Sequence, residues 1–451
     1  LAGFFVFALL YVFIEIYFLK FQTMSENKKI KLLMVPSDSM GVGHFRSIWP
    51  AQSISKYHGE DFDVEINLQP NVDNIEYLKQ FDIIHFHRHF GPHEKMDEVF
   101  AKLRAEGVIL IMDIDDFWEP PTTHPLFEIV RKENLTEKIK EVVKKADYVT
   151  TTTSIFAKHI EKINPNVLVI PNALNMDDKM WKSEVMPNET DKCRISWIGG
   201  SSHFHDLKLL ESSVTNLYSN KELKDKFQFI MCGFDTRGTI TEIKPDGSRD
   251  TRMIQPHETI WMKFEEIFTS NYKEKNEDPE YFKWLSKIKR EDYPGQYTKN
   301  YIRRWTLPLT QYGKHYDYCD VCLAPIDAID RYKTEKGQII NRTNYFNEVK
   351  SELKIIEAGM KKKALIAQDF GIYKELIKDG ETGLLIKDNK DGWYKAMKKV
   401  IQDPGYREML ANNLHEYVKE KYDLKNVTNQ RAEIYKSLIK ERAAKKSLVT
   451  A

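Results

Sequence analysis

The chain has 451 residues, 41% hydrophobic and 30% charged, and its 68 Lys and Arg against 67 Asp and Glu leave a net charge of +1. That length allows two or three domains, and the balanced charge excludes a broad nucleic-acid-binding surface. Four cysteines, Cys193, Cys232, Cys319 and Cys322, exclude a disulfide framework and point to a reducing compartment.

Residues 1–23 contain LAGFFVFALLYVFIEIYFL, almost long enough to span a bilayer. Lys20, Lys28, Lys29 and Lys31 follow, which would leave the main body cytoplasmic, attached to the inner face of the membrane. Glu15 interrupts the run, and Met24 begins MSENKKIKLLMVP, a normal start for an α/β protein. The segment therefore reads either as an anchor or as a mis-assigned start. From Ile30 to Pro36 the pattern is that of a buried strand. It leads into SDSMGVGHFRSIWP, where Gly41 and Gly43 permit a tight loop and close backbone approach to a ligand. Strands are predicted over 63–68, 82–87, 108–112, 148–152 and 167–170. Helices are predicted near 93–105, 135–145 and 154–163. This alternation predicts a parallel, doubly wound sheet.

Two clusters fall at strand ends of this half. HFHRHFGPH carries His85, His87, His89 and His93; alternation sets the first three on one face, which suits either a metal ion or, more plainly, a cleft where His87 and Arg88 bond substrate hydroxyls. MDIDDFWEPP carries Asp113, Asp115, Asp116 and Trp118. Its carboxylates read as a divalent-cation site, as sugar-hydroxyl ligands beside a stacking Trp118, or as a capped loop. The segment IPNALN closes the half, and a polar stretch from Met176 to Asp191 reads as a linker.

The second half restarts the pattern. A strand over 194–198 runs into GGSSHFHDLKLL, where Gly199, Gly200, Ser201 and Ser202 suit a phosphate and His203 and His205 add hydrogen bonds or charge. Asp206 reads as a loop support. After a strand over 227–232, the hydrophilic stretch 235–304 resists assignment beyond a helix around IWMKFEEIF. Arg303 and Arg304 read as a solvated face or as cleft cations. YCDVCLAP reads as a strand ending at proline, with Cys319 and Cys322 structural rather than redox-active or zinc-binding. From Lys350 to Ile386 comes KSELKIIEAGMKKKALIAQDFGIYKELIKDGETGLLI: helix, buried strand, helix from about Gly371, strand. Ser351 is the expected N-cap of the first helix, whose free N–H groups suit an anion. Glu357 on that helix suits a ribose or sugar hydroxyl. The remainder is predicted helical over 390–402, 404–421 and 426–443, ending in a lysine-rich face that suits solvent or, less simply, an anionic membrane.

Two doubly wound halves, each with a glycine loop after its first strand, resemble the GT-B fold of glycosyltransferases. KIIEAGMKKKALIAQDFG followed by IYKELIKDGETGLLI is similar to the donor-site motif of family 4 retaining glycosyltransferases. SMGVGHFR, ADYVTTTTS, IPNALN and YCDVCLAP fit the same family. The resemblance implies a fold of two Rossmann-like domains facing a cleft, with the C-terminal helix crossing back to the first. It implies an acceptor domain over 24–176, a linker over 177–191, a donor domain over 192–422 with an insertion at about 235–305, and the crossing helix over 423–451.

The resemblance also implies an enzyme moving a sugar from a UDP- or GDP-sugar to a glycan or glycolipid hydroxyl with retention, in polysaccharide biosynthesis, with no permanently bound cofactor or metal. Glu357 matches the ribose-binding glutamate. Lys350, Ser351 and Lys354 fall on the diphosphate side, and Phe370, Gly371 and Tyr373 near the donor sugar. Gly41, Gly43 and His44 match the loop that approaches phosphate and acceptor, with His87, Arg88, Asp113 and Trp118 on the acceptor side. Three departures stand out. Val349 occupies the position of the family's second glutamate, with Glu348 one residue off. Gly200 and His205 stand where Arg and Lys usually neutralise the diphosphate, leaving His203, His205, Lys350 or Lys354 to do so. Asp113-Ile114-Asp115-Asp116 replaces the usual histidine. Asp115 or Asp116 is the candidate base. The alternatives are a metal-dependent transferase using Asp113 and Asp115, and an inactive scaffold binding a glycan or protein.

Overall fold

Apolar runs without alternation are expected where helices cover both faces of a parallel sheet. In the computed structural model, strands β3 (Ile83–His87) and β4 (Ile109–Asp113) are buried at every position. So are β7 (Cys193–Ile198), β12 (Val321–Ala324) and β15 (Ala364–Gln368). The structure describes residues 28–182, 191–234, 239–244, 246–254, 258–269, 300–334 and 336–450. The hydrophobic segment 1–23 lies outside them, as do parts of the linker and of the 235–305 insertion.

The first sheet has the order β2-β1-β3-β4-β5-β6, with β1 Ile30–Val35, β2 Phe62–Ile66, β5 Tyr148–Thr151 and β6 Val167–Val169. The second has the order β11-β8-β7-β12-β15-β16, with β8 Phe227–Phe234, β11 Tyr301–Trp305 and β16 Leu384–Ile386. Every pairing in both sheets is parallel. The strand order reverses between β1 and β3 in one sheet and between β7 and β12 in the other. Ligands of open α/β sheets sit at such switch points, and the two glycine loops follow β1 and β7. The domain limits given above remain a proposal; each sheet falls inside one of them.

The halves are joined by chain as well as by packing. Leu174 N–H donates to Tyr422 O at 3.1 Å and Leu424 N–H donates to Leu174 O at 2.9 Å. The helix Leu424–Thr450 then returns to the first sheet, where Tyr435 is buried with Leu32, Met34 and Ile54. Tyr435 also meets His85 Nδ1 at 2.5 Å. Burial, which outweighs the pull of Asp113, pushes His85 down to about 3, and its Nε2 meets Thr150 Oγ1 at 2.9 Å, so it is a neutral core histidine with both ring nitrogens engaged rather than one of a metal-binding set. Among the described residues no helix is long and apolar enough to cross a membrane.

Three regions differ from the sequence expectation. Arg303 is neither solvated nor in the cleft: it lies in edge strand β11, is fully buried, and pairs with buried Glu265 at 2.9 Å. Arg304 stacks on Tyr318, 3.3 Å from its ring centre. Two antiparallel hairpins were not foreseen, β9 (Thr239–Ile243) with β10 (Arg249–Met253) and β13 (Ile329–Lys333) with β14 (Ile339–Thr343). The second reaches the first half, where Arg342 pairs with Glu119 at 2.9 Å.

Candidate active site

The end of β1 delivers Asp38, whose Oδ1 accepts the N–H groups of Met40 (2.7 Å) and Gly43 (3.2 Å). A Cβ on Gly43 would lie 1.8 Å from Asp38 O, closer than any non-bonded pair tolerates, so only glycine allows this turn. Gly43→Ala is expected to lower activity at least tenfold while circular dichroism reports a retained fold. Gly41 has open space around its missing Cβ, and His44 Nδ1 meets Met40 O at 2.9 Å.

The neighbouring strand ends bring the acidic run to this loop. Asp113 is 1% exposed, and its oxygens accept from Arg46 Nε (2.9 Å), Arg46 Nη2 (2.7 Å) and Thr150 Oγ1 (2.6 Å). Burial opposes its charge, and the Arg46 guanidinium outweighs burial and holds the carboxyl at about 2. Asp113 is thus not an acceptor ligand, nor half of a cation-binding pair: both its oxygens are spent on a buried arginine. Among the described residues, no three His, Cys, Asp or Glu converge to hold a metal ion.

Asp115 accepts from Arg88 Nη2 at 3.0 Å and meets His87 Nε2 at 2.9 Å; His87 Nδ1 in turn meets Ser37 Oγ at 2.8 Å. Burial resists the charge on Asp115, yet Arg88 and His87 hold its pKa well below the usual range. It is therefore a poor proton acceptor at neutral pH. Asp116 is reached by Arg88 Nη2 at 3.5 Å and by Lys350 Nζ, from the second half, at 3.2 Å. Arg88 adopts φ +63°, a conformation disfavoured for residues with a side chain. Trp118 offers no stacking face: it is 7% exposed, stacked on Phe117 at 4.6 Å and packed beside Phe156.

Across the cleft, the loop after β7 is drawn tight. Gly233 (φ +94°) passes so close to Gly199 that a Cβ there would lie 2.4 Å from Gly199 O. Gly200 and Ser201 are exposed, and His203 and His205 line a cleft shared with Pro121, Thr123 and His124 of the first half. Its free space is about 30 Å³, room for a water but not for a sugar nucleotide.

The helix Leu353–Met360 begins one residue later than expected. Glu352, not Ser351, is its N-cap, and its carbonyl takes the N–H groups of Ile355 and Ile356. The Glu352 side chain turns away to accept Asn172 N–H at 2.6 Å, from the end of the first half. Glu357 is 3% exposed; it accepts from Tyr316 Oη and, at 3.2 Å, from Lys354 Nζ. Lys354 also meets Tyr312 Oη at 3.3 Å and Tyr316 Oη at 3.4 Å. Burial opposes the Lys354 charge, but Glu357 and Tyr312 hold its pKa above the usual lysine value. Lys350 stacks over Phe346 at 4.1 Å. Gly371 (φ +53°) starts the helix Gly371–Leu376; Phe370 is half-buried and Tyr373 buried. Val349 is buried among first-half residues, and Glu348 meets His159 at 3.4 Å. Val349 thus brings no carboxylate to the position of the family's second glutamate, and the carboxylate of Glu348 is paired with a first-half histidine.

Residues 353–417 match the model of the family described as "Glycosyl transferases group 1". Two parallel Rossmann-like sheets and a returning C-terminal helix are also the shape of solved GT-B enzymes. A glycosyltransferase from Rickettsia africae superposes with a TM-score of 0.55 at 14% identity, covering 92% of this chain and 99% of that one. HepE of Anabaena, solved with UDP-glucose, gives 0.54 at 11% identity and 90% and 99% coverage. Sucrose-phosphate synthase from Thermosynechococcus elongatus gives 0.54 at 13%, with 92% and 99%. The chain is a glycosyltransferase of the GT-B fold. Its sequence matches none of the curated proteins.

Within this glycosyltransferase, sequence reasoning passed over Arg46, Tyr312, Tyr316, Asp327 and Asn347, and read Asp206 only as support. Arg46 stood inside SMGVGHFR, and the excess of acids in MDIDD was the signal that a buried cation must answer them. Glu352 is a further case. Burial raises it to about 7 against weaker opposition from Asn172 N–H and Arg46. Its folded pKa exceeds the unfolded 4.5, so the folded state holds the proton more tightly. The resulting stability is full below pH 4.5 and is lost as pH rises to about 7, a change of about 3 kcal/mol. Glu352→Gln is expected to flatten the melting temperature between pH 5 and 8, with its largest gain over wild type at pH 8.

Proposed function

We propose that the second half binds a UDP- or GDP-sugar and that the first half presents a glycan or glycolipid hydroxyl, the sugar passing between them with retention. The observation that carries this reading is the buried Glu357 carboxylate on the Leu353–Met360 helix, held by Lys354 and Tyr316. A carboxyl group fixed in place by its neighbours suits two adjacent ribose hydroxyls. HepE, with the same fold, was solved with UDP-glucose, which supports a uridine nucleotide first.

The leaving group is a diphosphate, so the main task is to stabilise its growing negative charge. The Gly199–Ser202 loop, His203, His205, Lys350, Ser351 and Lys354 are the groups assigned to it, with Phe370, Gly371 and Tyr373 beside the donor sugar. On the acceptor side stand Gly41, Gly43, His44, His87 and Arg88. Retention is supported by the condition of the acids. Asp113 and Asp115 are ion-paired and held below the usual carboxylate range, which leaves them weak as base or nucleophile. The acceptor proton then goes to a donor phosphate oxygen on the same face, and Asp116 is the protein base of last resort. Closure of the two halves over the donor would exclude water and limit its hydrolysis.

The test is a panel of UDP- and GDP-sugars, scored by thermal shift and then by transfer to glycan acceptors, with the product anomer read by NMR. A donor that raises the melting temperature and yields a product with its own anomeric configuration is expected. An inverted product would sink the retaining assignment, and activity lost in EDTA and restored by manganese would sink the metal-free one.

A further inference from the structure

Asp206 is 5% exposed, yet its carboxylate holds three segments together at the switch point of the second sheet. Oδ1 accepts Asp327 N–H at 2.6 Å and Asn347 Nδ2–H at 2.9 Å. Oδ2 meets His203 Nδ1 at 2.8 Å. The loop after β7, the loop after β12 and the helix Tyr345–Glu348 are thereby locked into one wall of the cleft.

Three imidazoles line that wall and the face opposite: His124, His203 and His205. They are not equivalent. Burial, then the charge of Lys350, lowers the pKa of His124, whose Nδ1 accepts Leu126 N–H. Burial, then Arg331, lowers that of His205. Both are neutral rings, able to donate a hydrogen bond to an anion but bringing it no charge. His203 differs in having a carboxylate bonded to its ring, and its side chain is 28% exposed. Nδ1 is turned inward to Asp206, and Nε2 lies on the other side of a ring that lines the cleft. The neighbouring cations already have partners: Lys350 has Asp116, Arg331 has Asp327, and Lys354 has Glu357.

We propose that Asp206 is a positioning residue that holds His203 with Nδ1–H inward and Nε2–H toward the donor diphosphate, where the imidazolium supplies the counter-charge that Gly200 cannot. This rests on the donor-site reading above. As the bond from the sugar C1 to the phosphate oxygen breaks, its electron pair stays on that oxygen. His203 keeps its proton and strengthens its Nε2–H hydrogen bond as the negative charge grows. The interaction is therefore stronger in the transition state than with bound donor, and its loss should appear in kcat more than in KM.

The test uses full-length protein with ¹⁵N-labelled histidines, titrated with UDP and with GDP, the His203 signals being those missing from His203→Gln. The expected result is a protonated, hydrogen-bonded Nε2 on adding nucleotide, a response absent from Asp206→Asn and partly restored in Asp206→Glu. In turnover, His203→Gln should lower kcat about 100-fold with donor KM changed less than about threefold. His203→Gln leaves the Asp206 bonds to Asp327 and Asn347 in place, which guards against a simple folding defect. Nucleotide binding by calorimetry with an unmoved His203 signal, or full kcat in His203→Gln, would overturn this proposal alone. No binding of either nucleotide to wild type would overturn the donor-site reading and this proposal with it.

Discussion

Arg46→Ala should destabilise the first half by about 3–5 kcal/mol, because it strands a buried, ionised carboxylate. Arg46 is 1% exposed and makes four bonds: two to Asp113, one to Ile170 O at 2.9 Å and one to Asn172 Oδ1 at 3.2 Å. For a unit of this size the melting temperature should fall by roughly 10 °C. The double variant Arg46→Met, Asp113→Leu should recover much of that loss, since no unpaired charge remains. Differential scanning calorimetry of the three proteins decides it; a single variant as stable as wild type would show that the pair is not what anchors the loop. Activity should stay low in the double variant. Arg46 joins the Gly41–Gly43 turn to the chain segment that meets the donor helix through Asn172 and Glu352, and that coupling is gone even when stability returns.

Glu357→Gln should weaken donor use by about 1.5–3 kcal/mol, roughly tenfold to a hundredfold in kcat/KM, the worth of hydrogen bonds to a charged acceptor. Gln is close in shape, so the pocket should keep its volume while Lys354 loses its buried counter-charge. The loss should fall mainly on donor KM, because the ribose is held alike in the ground and transition states. Steady-state kinetics at varied donor concentration separates the cases: a variant with unchanged KM would remove Glu357 from the ribose site.

The two parallel sheets were legible because buried strands leave runs such as IKLLMV and ALIAQ, and the returning helix because a long helical pattern follows Pro404. The β13–β14 hairpin was legible in principle. IDRYKTEKGQIINRT has two alternating runs about Lys336-Gly337, a hairpin signal, but its charges disguised it as a loop. The site was less readable wherever a role depends on a partner far along the chain. Asp113 and Asp115 are two residues apart and look alike in sequence. One ends β4 facing Arg46, 67 positions earlier, and the other turns to His87 and Arg88. Trp118 likewise reads as a stacking platform until Phe117 and Phe156 are seen to enclose it. Ser351 and Glu352 are both acceptable N-caps, and only the Asn172 contact decides which way the glutamate points. Local pattern determined the elements; the pairing of charges between elements determined the site.

The most direct test of the donor site is a calorimetric titration of UDP and GDP into the intact protein and into Glu357→Ala, with circular dichroism to verify that the variant is folded. The account predicts saturable binding of one nucleotide to the wild type and affinity at least tenfold weaker in the variant. Equal binding by both proteins would contradict it.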